Sequence, residues 1–371
     1  MNLNSTPLRV AIVAPSLRIL GGQAVQADRL LRHWHDDPDV HAWLVPHNPQ
    51  PPAGFRWMTR ITYLRTLVTE ATYLPLLVRE LRRADVAHIF SASYTSFLLA
   101  PLPAILIARA LGKPVVLNYR SGEAPDHLRR SAIARWALAR VERNAVPSRF
   151  LREVFSGFGI ASTIVPNVIA LERFPYRSRM PLRPRLVSTR NLDGLYNVAC
   201  TLRAFRRVQD VHPEASLVLV GSGAEDARLR ALALELRLKH VTFAGRVPPE
   251  EIARHYDEND IYIQSPNIDN MPASVLEAFA SGLPVVSTDA GGVPAILRHG
   301  QDGLLAPVDD DAALAAHVLG LLANPSWAAQ LAASAHETLR ACTWTHVRGQ
   351  WLALYRGVVA HLPASAAVVR A

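Results

Sequence analysis

A chain of 371 residues, half of them apolar, is longer than one hydrophobic core usually organises, so two domains with sizeable cores are the default. Cys200 and Cys342 are its only cysteines, which excludes a disulfide framework or a cysteine-built metal centre. The net charge of +9 lies wholly in residues 1–170, where 20 Arg or Lys face 11 Asp or Glu against 20 of each in residues 171–371; no recognition module or glycine-aromatic RNA motif accompanies it, so nucleic acid is not an expected partner. The N-terminal stretch MNLNSTPLRVAIVAPS has no basic region followed by a long apolar core, so no signal peptide is expected. The longest apolar run, near Phe97 to Ile107, is interrupted by Pro101 and Pro103 and is too short to span a bilayer. A cytosolic enzyme fits these features.

Short apolar runs alternate with amphipathic stretches in both halves, the pattern of doubly wound parallel sheets in an α/β protein. Arg9 to Pro15 reads as a buried strand, Gly21-Gly22 as a tight loop and phosphate-loop candidate, and Gln23 to Trp34 as a helix. Further strands fit His41 to Val45, Val86 to Phe90 and Pro114 to Asn118. His88, in DVAHIF, is either at a strand end facing ligand or a satisfied core histidine. The runs Phe55 to Arg83 and His127 to Asn144 mix arginines with Trp, Tyr and aliphatics at roughly helical spacing. Such helices either lie on anionic lipid headgroups or are ordinary domain helices with a solvated basic face.

Val165 to Val168 and Phe174 read as the crossing between domains, and Arg177 to Arg185, with prolines nearby, as a linker. The second half opens with Arg185 to Leu192 and a helix from Asn197 to Asp210. Strands follow at Ser216 to Gly223, Val241 to Val247 and Asp260 to Pro266, and a terminal helix at about Trp344 to Leu362. The predicted division is 1–170, 171–345 and a terminal segment 346–371 whose tail, ASAAVVRA, is loose. Gly221-Ser222-Gly223 follows a strand and precedes a helix, but Asp226 stands where a dinucleotide fingerprint has its third glycine, so a nicotinamide cofactor has little support.

The stretch SPNIDNMPASVLEAFASGLPVVSTDAGGVP, Ser265 to Pro294, is the most informative in the chain. Pro272 suits a first helical turn, and Gly282 with Pro284 is a stop, so Glu277 rides on a short helix eight residues after Asp269. PVVST reads as a buried strand, and Ala290-Gly291-Gly292 as a loop leading to another helix at Pro294. Free N–H groups at such helix starts attract phosphate. A lone Glu on a helix is more often simply solvated.

This segment, above all LEAFASGLPVVST, resembles the donor-binding signature of the retaining glycosyltransferases of family four (glycosyl transferases group 1). The resemblance implies the GT-B fold: two Rossmann-like parallel-sheet domains facing across a cleft, acceptor side first and nucleotide-sugar donor side second, with the C-terminal helix returning to the first. The donor is a nucleotide diphosphate-sugar used as co-substrate, without metal or other cofactor; no histidine cluster has metal-ligand spacing. Glu277 would then accept from the ribose hydroxyls, while Asp269, in place of the family's first Glu, would face the sugar hydroxyls. Asn270, Met271, Pro272 and Ala273 would line the same edge, and Arg246-Val247 the base. Arg190 would contact the diphosphate, with Leu195 where the family has Lys, so Arg190, the helix start from Pro272 to Ser274, and the amides of Gly21 and Gly22 would share the leaving-group charge. Gly221 and Gly223 would lie near the nucleotide. Arg120 stands in the register of a histidine common in the family, with Glu123 and His127 near it and His88 a further acceptor-side candidate. Catalysis is thus expected to centre on Arg190 and Asp269, the departing phosphate accepting the proton. The acceptor is expected to be a glycan or lipid-linked hydroxyl in cell-surface polysaccharide or glycolipid synthesis. An anionic membrane surface is a candidate partner for a cytoplasmic protein peripheral on the inner face. A nucleotide-sugar epimerase and a non-catalytic nucleotide-sugar binder are the alternatives.

Overall fold

The computed structural model describes residues 6–18, 21–51, 54, 57 and 61–360. Phe55, Arg56 and 58–60 of the first basic run, and the tail after residue 360, lie outside the described residues. Two compact units are present. The first runs to Val168 and resumes at Trp344; the second is Ile169–Thr343.

In the first unit β1 (Leu8–Ala14), β2 (Val40–Pro46), β3 (Val86–Ser91), β4 (Val115–Tyr119), β5 (Arg143–Val146) and β6 (Thr163–Ile164) form one parallel sheet of order β2-β1-β3-β4-β5-β6. Alternate residues of β1 feed different cores. Ala11 and Val13 pack with Tyr73, Leu77 and Phe97, whereas Val10 and Ile12 pack with Trp34, Trp351 and Tyr355. A strand covered on both faces must be apolar throughout, which is why RVAIVAP shows no polar alternation.

The helix Trp344–Ala360 belongs to this unit and covers the second of those faces. Arg348 holds it with a bidentate contact to Asp37 (2.6 and 2.9 Å) and a third bond to Asp39 (2.6 Å). A chain of polar groups ties it to the sheet. Arg120 donates to Asn118 Oδ1 (3.2 Å), which turns the Asn118 amide nitrogen towards His88 Nε2 (3.1 Å) and leaves His88 Nδ1–H to donate to the Tyr355 oxygen (2.7 Å).

The second basic run is not one amphipathic helix. Ser131 leaves helical geometry and its hydroxyl caps Ala134 N (3.1 Å), so Ala124–Arg130 and Ala132–Leu138 are separate helices, and Arg143–Val146 joins the sheet. A serine that offers its oxygen to the backbone starts a new helix more readily than it continues one.

In the second unit β7 (Arg185–Ser188), β8 (Ser216–Val220), β9 (Val241–Gly245), β10 (Ile261–Ile263), β11 (Val285–Thr288) and β12 (Leu304–Ala306) give the order β12-β11-β10-β7-β8-β9, again parallel. The segment expected as a linker is bound into this body. Asp260 accepts from Arg183 (2.7 Å) and Arg177 (3.2 Å), and the buried Arg179 donates to the carbonyls of Ser281 and Tyr256. Pro294 does not open an α-helix; Val293–Ala295 is a single 3-10 turn.

Burial, and then the Arg120 charge, push the pKa of His88 down to about 3 from the ordinary 6.5. Above pH 6.5 both folded and unfolded chains hold this imidazole neutral, and it adds no pH dependence. As the pH falls through that value the unfolded chain takes up a proton that the folded chain refuses, so stability is lost on acidification. Between pH 7 and pH 5 this group alone should remove about 2 kcal/mol. Denaturant unfolding of His88→Gln at the two pH values should show a smaller loss than the parent by about that amount, and an identical loss would remove His88 from the account.

Candidate functional site

In the second sheet, β7 is followed by β8 on one side and β10 lies on the other, so the order reverses between β7 and β10. Connections leave the two carboxyl ends in opposite directions there, which opens a crevice where ligands bind in open α/β sheets. Thr189 and Arg190 leave the end of β7, and Asp269 the loop after β10. The two charged groups meet. Arg190 Nη2 lies 2.6 Å from Asp269 Oδ2, with the side chains 9% and 14% exposed.

Arg190 Nη1 also donates to Ser274 Oγ (3.0 Å), and its guanidinium carbon sits 4.0 Å from the centroid of the Tyr196 ring. Its Nε is buried with no hydrogen-bond partner. Burial pulls the guanidinium pKa down, but the Asp269 charge and nearby phenols more than offset this, and the net shift is upward. Arg190 therefore stays a cation. Asp269 uses its other oxygen, Oδ1, to accept from Asn270 N (2.8 Å).

Two glycine pairs set these loops at their heights. A Cβ on Gly221 would stand 2.2 Å from the Arg190 carbonyl oxygen, and one on Gly223 2.3 Å from that of Leu192. Beneath the Asp269 loop, a Cβ on Gly291 or Gly292 would stand 2.3 Å from Asp269 O or 2.2 Å from Asn270 O, and Gly292 N donates to Asp269 O at 3.0 Å. Close backbone approach accounts for all four glycines. The Gly292 amide is spent on the loop that carries Asp269.

Pro272 stands at the N-cap of the helix Ala273–Ala280, in extended geometry, and Glu277 rides on that helix. The solvated reading of Glu277 fails, since it is 8% exposed. Tyr256 OH donates to Glu277 Oε2 (3.0 Å) and lies 2.6 Å from Thr189 Oγ1. Burial and the Glu277 charge hold that phenol well above its ordinary pKa, so it keeps its proton and donates. Asn270, Met271, Pro272 and Ser274 are buried beside it, Ala273 half-buried. Gly221 N donates to Gly245 O (2.8 Å), which brings the half-buried Val247 and the exposed Arg246 to the same edge. Tyr256, Thr189 and Tyr196 were missed in the sequence; no motif marks them, and only contact reveals their part.

A cavity of about 320 Å³ in this unit is lined by Asp193, Arg203, Glu225, Arg228 and Asp309 among others, and by neither Arg190 nor Glu277. Its cations already face acids, Arg203 with Asp309 and Arg228 with Glu225.

In the first unit Gly21 caps the helix Gly22–Trp34, and a Cβ on either Gly21 or Gly22 would meet nothing within 4 Å. His88 is fully buried in the middle of β3 with both ring nitrogens engaged, so it is a core residue out of reach of any acceptor. Arg120 bonds Asn118 and Asn167 and lies 5.4 Å from the Phe90 ring centroid; burial lowers its pKa to about 9. His127 is buried, its Nδ1 2.8 Å from Tyr119 OH, which is 2.8 Å from Ser93 Oγ. Glu123 is half-buried on the same helix start, its carboxyl pushed up by burial and by Asp126.

The family description "Glycosyltransferase Family 4" matches residues 20–173, and "Glycosyl transferases group 1" matches residues 182–338. A phosphatidyl-myo-inositol mannosyltransferase of Mycobacterium leprae is 26% identical over 74% of this chain and 74% of its own. A GDP-mannose-dependent alpha-(1-6)-phosphatidylinositol monomannoside mannosyltransferase of Mycolicibacterium smegmatis is 28% identical over 81% of this chain and 84% of its own. Among solved structures, sucrose-phosphate synthase from Thermosynechococcus elongatus superposes with a TM-score of 0.73 at 18% identity, covering 95% of this chain and 99% of that one. Anabaena Alr3699/HepE in complex with UDP-glucose gives 0.74 at 15% identity, covering 94% and 99%. The similarity is to transferases, and the epimerase alternative is set aside. With matched sequence in both halves and a parallel sheet in each unit, the chain belongs to the group 1 glycosyl transferases of glycosyltransferase family 4, enzymes of the GT-B fold.

Proposed function

We propose that the crevice between β7 and β10 holds the diphosphate and ribose of a nucleotide diphosphate-sugar, whose sugar passes with retention to a hydroxyl of a glycan or lipid-linked acceptor. The observation that carries this reading is a buried arginine at a strand end, in reach of an acid and a helix start. Nothing in the packing of a sheet requires a cation there. A guanidinium matches two phosphate oxygens at once, and the first amides of the helix Ala273–Ala280 add positive potential beside it. Glu277 stands at the same crevice, its Oε2 fixed by Tyr256, and a carboxylate so oriented suits two vicinal ribose hydroxyls. Asp269 is the group for the sugar hydroxyls. Transfer on one face of the sugar lets the departing phosphate take the acceptor's proton, and the protein supplies position and charge.

Glu277→Ala should weaken nucleoside diphosphate binding by roughly 1.5 to 3 kcal/mol, the worth of hydrogen bonds to a charged group. Tyr256→Phe should cause a smaller loss that disappears with a 2′,3′-dideoxy nucleotide. Calorimetry that finds both variants folded and equal to the parent refutes the ribose assignment. Arg190→Ala should lower kcat more than it raises the donor KM, because charge on the leaving phosphate grows in the transition state. Equal effects on the two would remove that role, and no transfer by the parent from any labelled donor to a lipid or glycan extract would favour a non-catalytic binder.

The first unit is proposed to meet an anionic membrane surface where a lipid-linked acceptor lies. Supporting this, Arg129 and Arg130 are exposed on one short helix, and Ile133 and Trp136 on the next. Among the described residues no single helix is long and apolar enough to cross a membrane, so the contact would be with the surface. Each basic side chain there contributes about 1 kcal/mol. Arg135 is unsuited to a test, since it donates to the carbonyls of Leu128 and Arg129 and holds the two helices together. Arg129→Gln with Arg130→Gln should reduce co-sedimentation with anionic vesicles at low salt and spare nucleotide binding. A parent protein that ignores such vesicles points to a soluble acceptor.

A further inference from the structure

We infer that Asp269 is a specificity-determining residue that sets the enzyme against its own nucleoside diphosphate product, by occupying Arg190 whenever no sugar is present to occupy Asp269. The inference rests on the donor reading above and adds a second role for its acid. Three observations carry it. The Arg190–Asp269 contact is short and largely removed from water, at 2.6 Å with side chains 9% and 14% exposed. Both terminal nitrogens of Arg190 are engaged, Nη2 by Asp269 and Nη1 by Ser274, while Nε is buried without a partner. Asp269 is itself anchored, since Oδ1 accepts from Asn270 N and its loop rests on Gly291 and Gly292.

A phosphate arriving at Arg190 therefore competes with a carboxylate already there, and that carboxylate, fixed to its own loop, stays nearby as a negative charge. The two ligands meet this obstacle differently. In a nucleotide sugar both phosphates are diesters, whereas the nucleoside diphosphate ends in a monoester that carries up to about one more negative charge near neutral pH. Repulsion from Asp269 is therefore larger for the product, and it is felt in a site with little water to screen it. The nucleotide sugar also brings hydroxyl donors that Asp269 can accept from once Arg190 turns to the phosphates. The product brings none. The same pair, closing again after transfer, favours release of the diphosphate.

The test compares the full-length parent with Asp269→Asn, by calorimetry with UDP, GDP and ADP and with a nucleotide sugar of the base that binds. Asparagine keeps the size and one acceptor oxygen, enough for the bond from Asn270 N, but removes the charge. The expected result is opposite signs: the nucleoside diphosphate binds at least about tenfold tighter, and product inhibition rises in step, while the nucleotide sugar binds no tighter and is turned over more slowly. A group that only packed the loop would move both ligands the same way. Equal changes for the two ligands, or no tightening of the diphosphate, overturns the inference. Asp269→Ser, which also removes the charge, is read the same way if the Asn variant does not fold. Arg190→Ala separates the two layers of the argument. If it weakens diphosphate binding while Asp269→Asn leaves it unchanged, the donor reading stands and the role of Asp269 falls; if it has no effect in either background, the donor reading falls and this inference with it.

Discussion

A cation buried at the end of a parallel strand has to be neutralised, and much of the second unit is arranged around how that is done. Strand order reverses between β7 and β10, where connections leave in opposite directions, and Arg190 follows the end of β7. With its side chain only 9% exposed, an unpaired guanidinium would cost several kcal/mol. Asp269, Ser274 and the Tyr196 ring take the place of water. For those groups to arrive, the backbones that carry them must approach more closely than any Cβ permits, which fixes glycine at 221, 223, 291 and 292. A charge requirement in the crevice thus becomes a composition requirement in loops distant in sequence.

The parallel strands were legible because burial on both faces leaves an unmistakable apolar run: Arg9 to Pro15, Val86 to Phe90 and Ser216 to Gly223 fall within a few residues of β1, β3 and β8. What escaped were strands without such a run. Arg143–Val146 is short and half polar, so its sequence reads as the end of a basic helix, and Leu304–Ala306 is three residues at an edge. The segment Arg177 to Arg185 reads as linker because its arginines and prolines resemble solvated chain. Their partners, Asp260 and the carbonyls of Tyr256 and Ser281, come from about 75 to 105 residues further on, and no local pattern announces them.

The site was legible to a similar depth. Arg190, Asp269 and Glu277 stand out through family spacing, but their surroundings do not. Tyr256 lies in RHYDEND, where an aromatic residue has many uses, and only the fold shows its hydroxyl against Glu277. The glycine pairs stand out in the sequence, but a turn that approaches phosphate and a turn that approaches another backbone need the same residue, so the approach of 221 and 223 to Arg190 and Leu192 and of 291 and 292 to Asp269 and Asn270 is visible only in the fold. The sequence leaves His88 open between two readings. A histidine in an apolar strand has a core explanation and a functional one, and the Asn118 and Tyr355 contacts decide for the core.

Two departures from the family pattern, Leu195 for lysine and Asp269 for glutamate, are better understood together than singly. Leu195 is exposed in the turn Gly194–Tyr196, and the ring that meets the guanidinium is that of its neighbour Tyr196. Without the lysine, the donor-free crevice holds one arginine against Asp269, with Glu277 as a second carboxylate, and carries no excess of positive charge. On the donor reading proposed above, such a site would gain less from long-range attraction of an anion and depend more on contacts made after entry: amides at the start of the helix Ala273–Ala280, ribose hydroxyls at Glu277, sugar hydroxyls at Asp269. Affinity built from such contacts belongs to the whole nucleotide sugar rather than to its diphosphate. On that reading, losing a cation and shortening an acid would act in one direction, moving recognition from the charge shared by substrate and product towards the sugar that only the substrate carries.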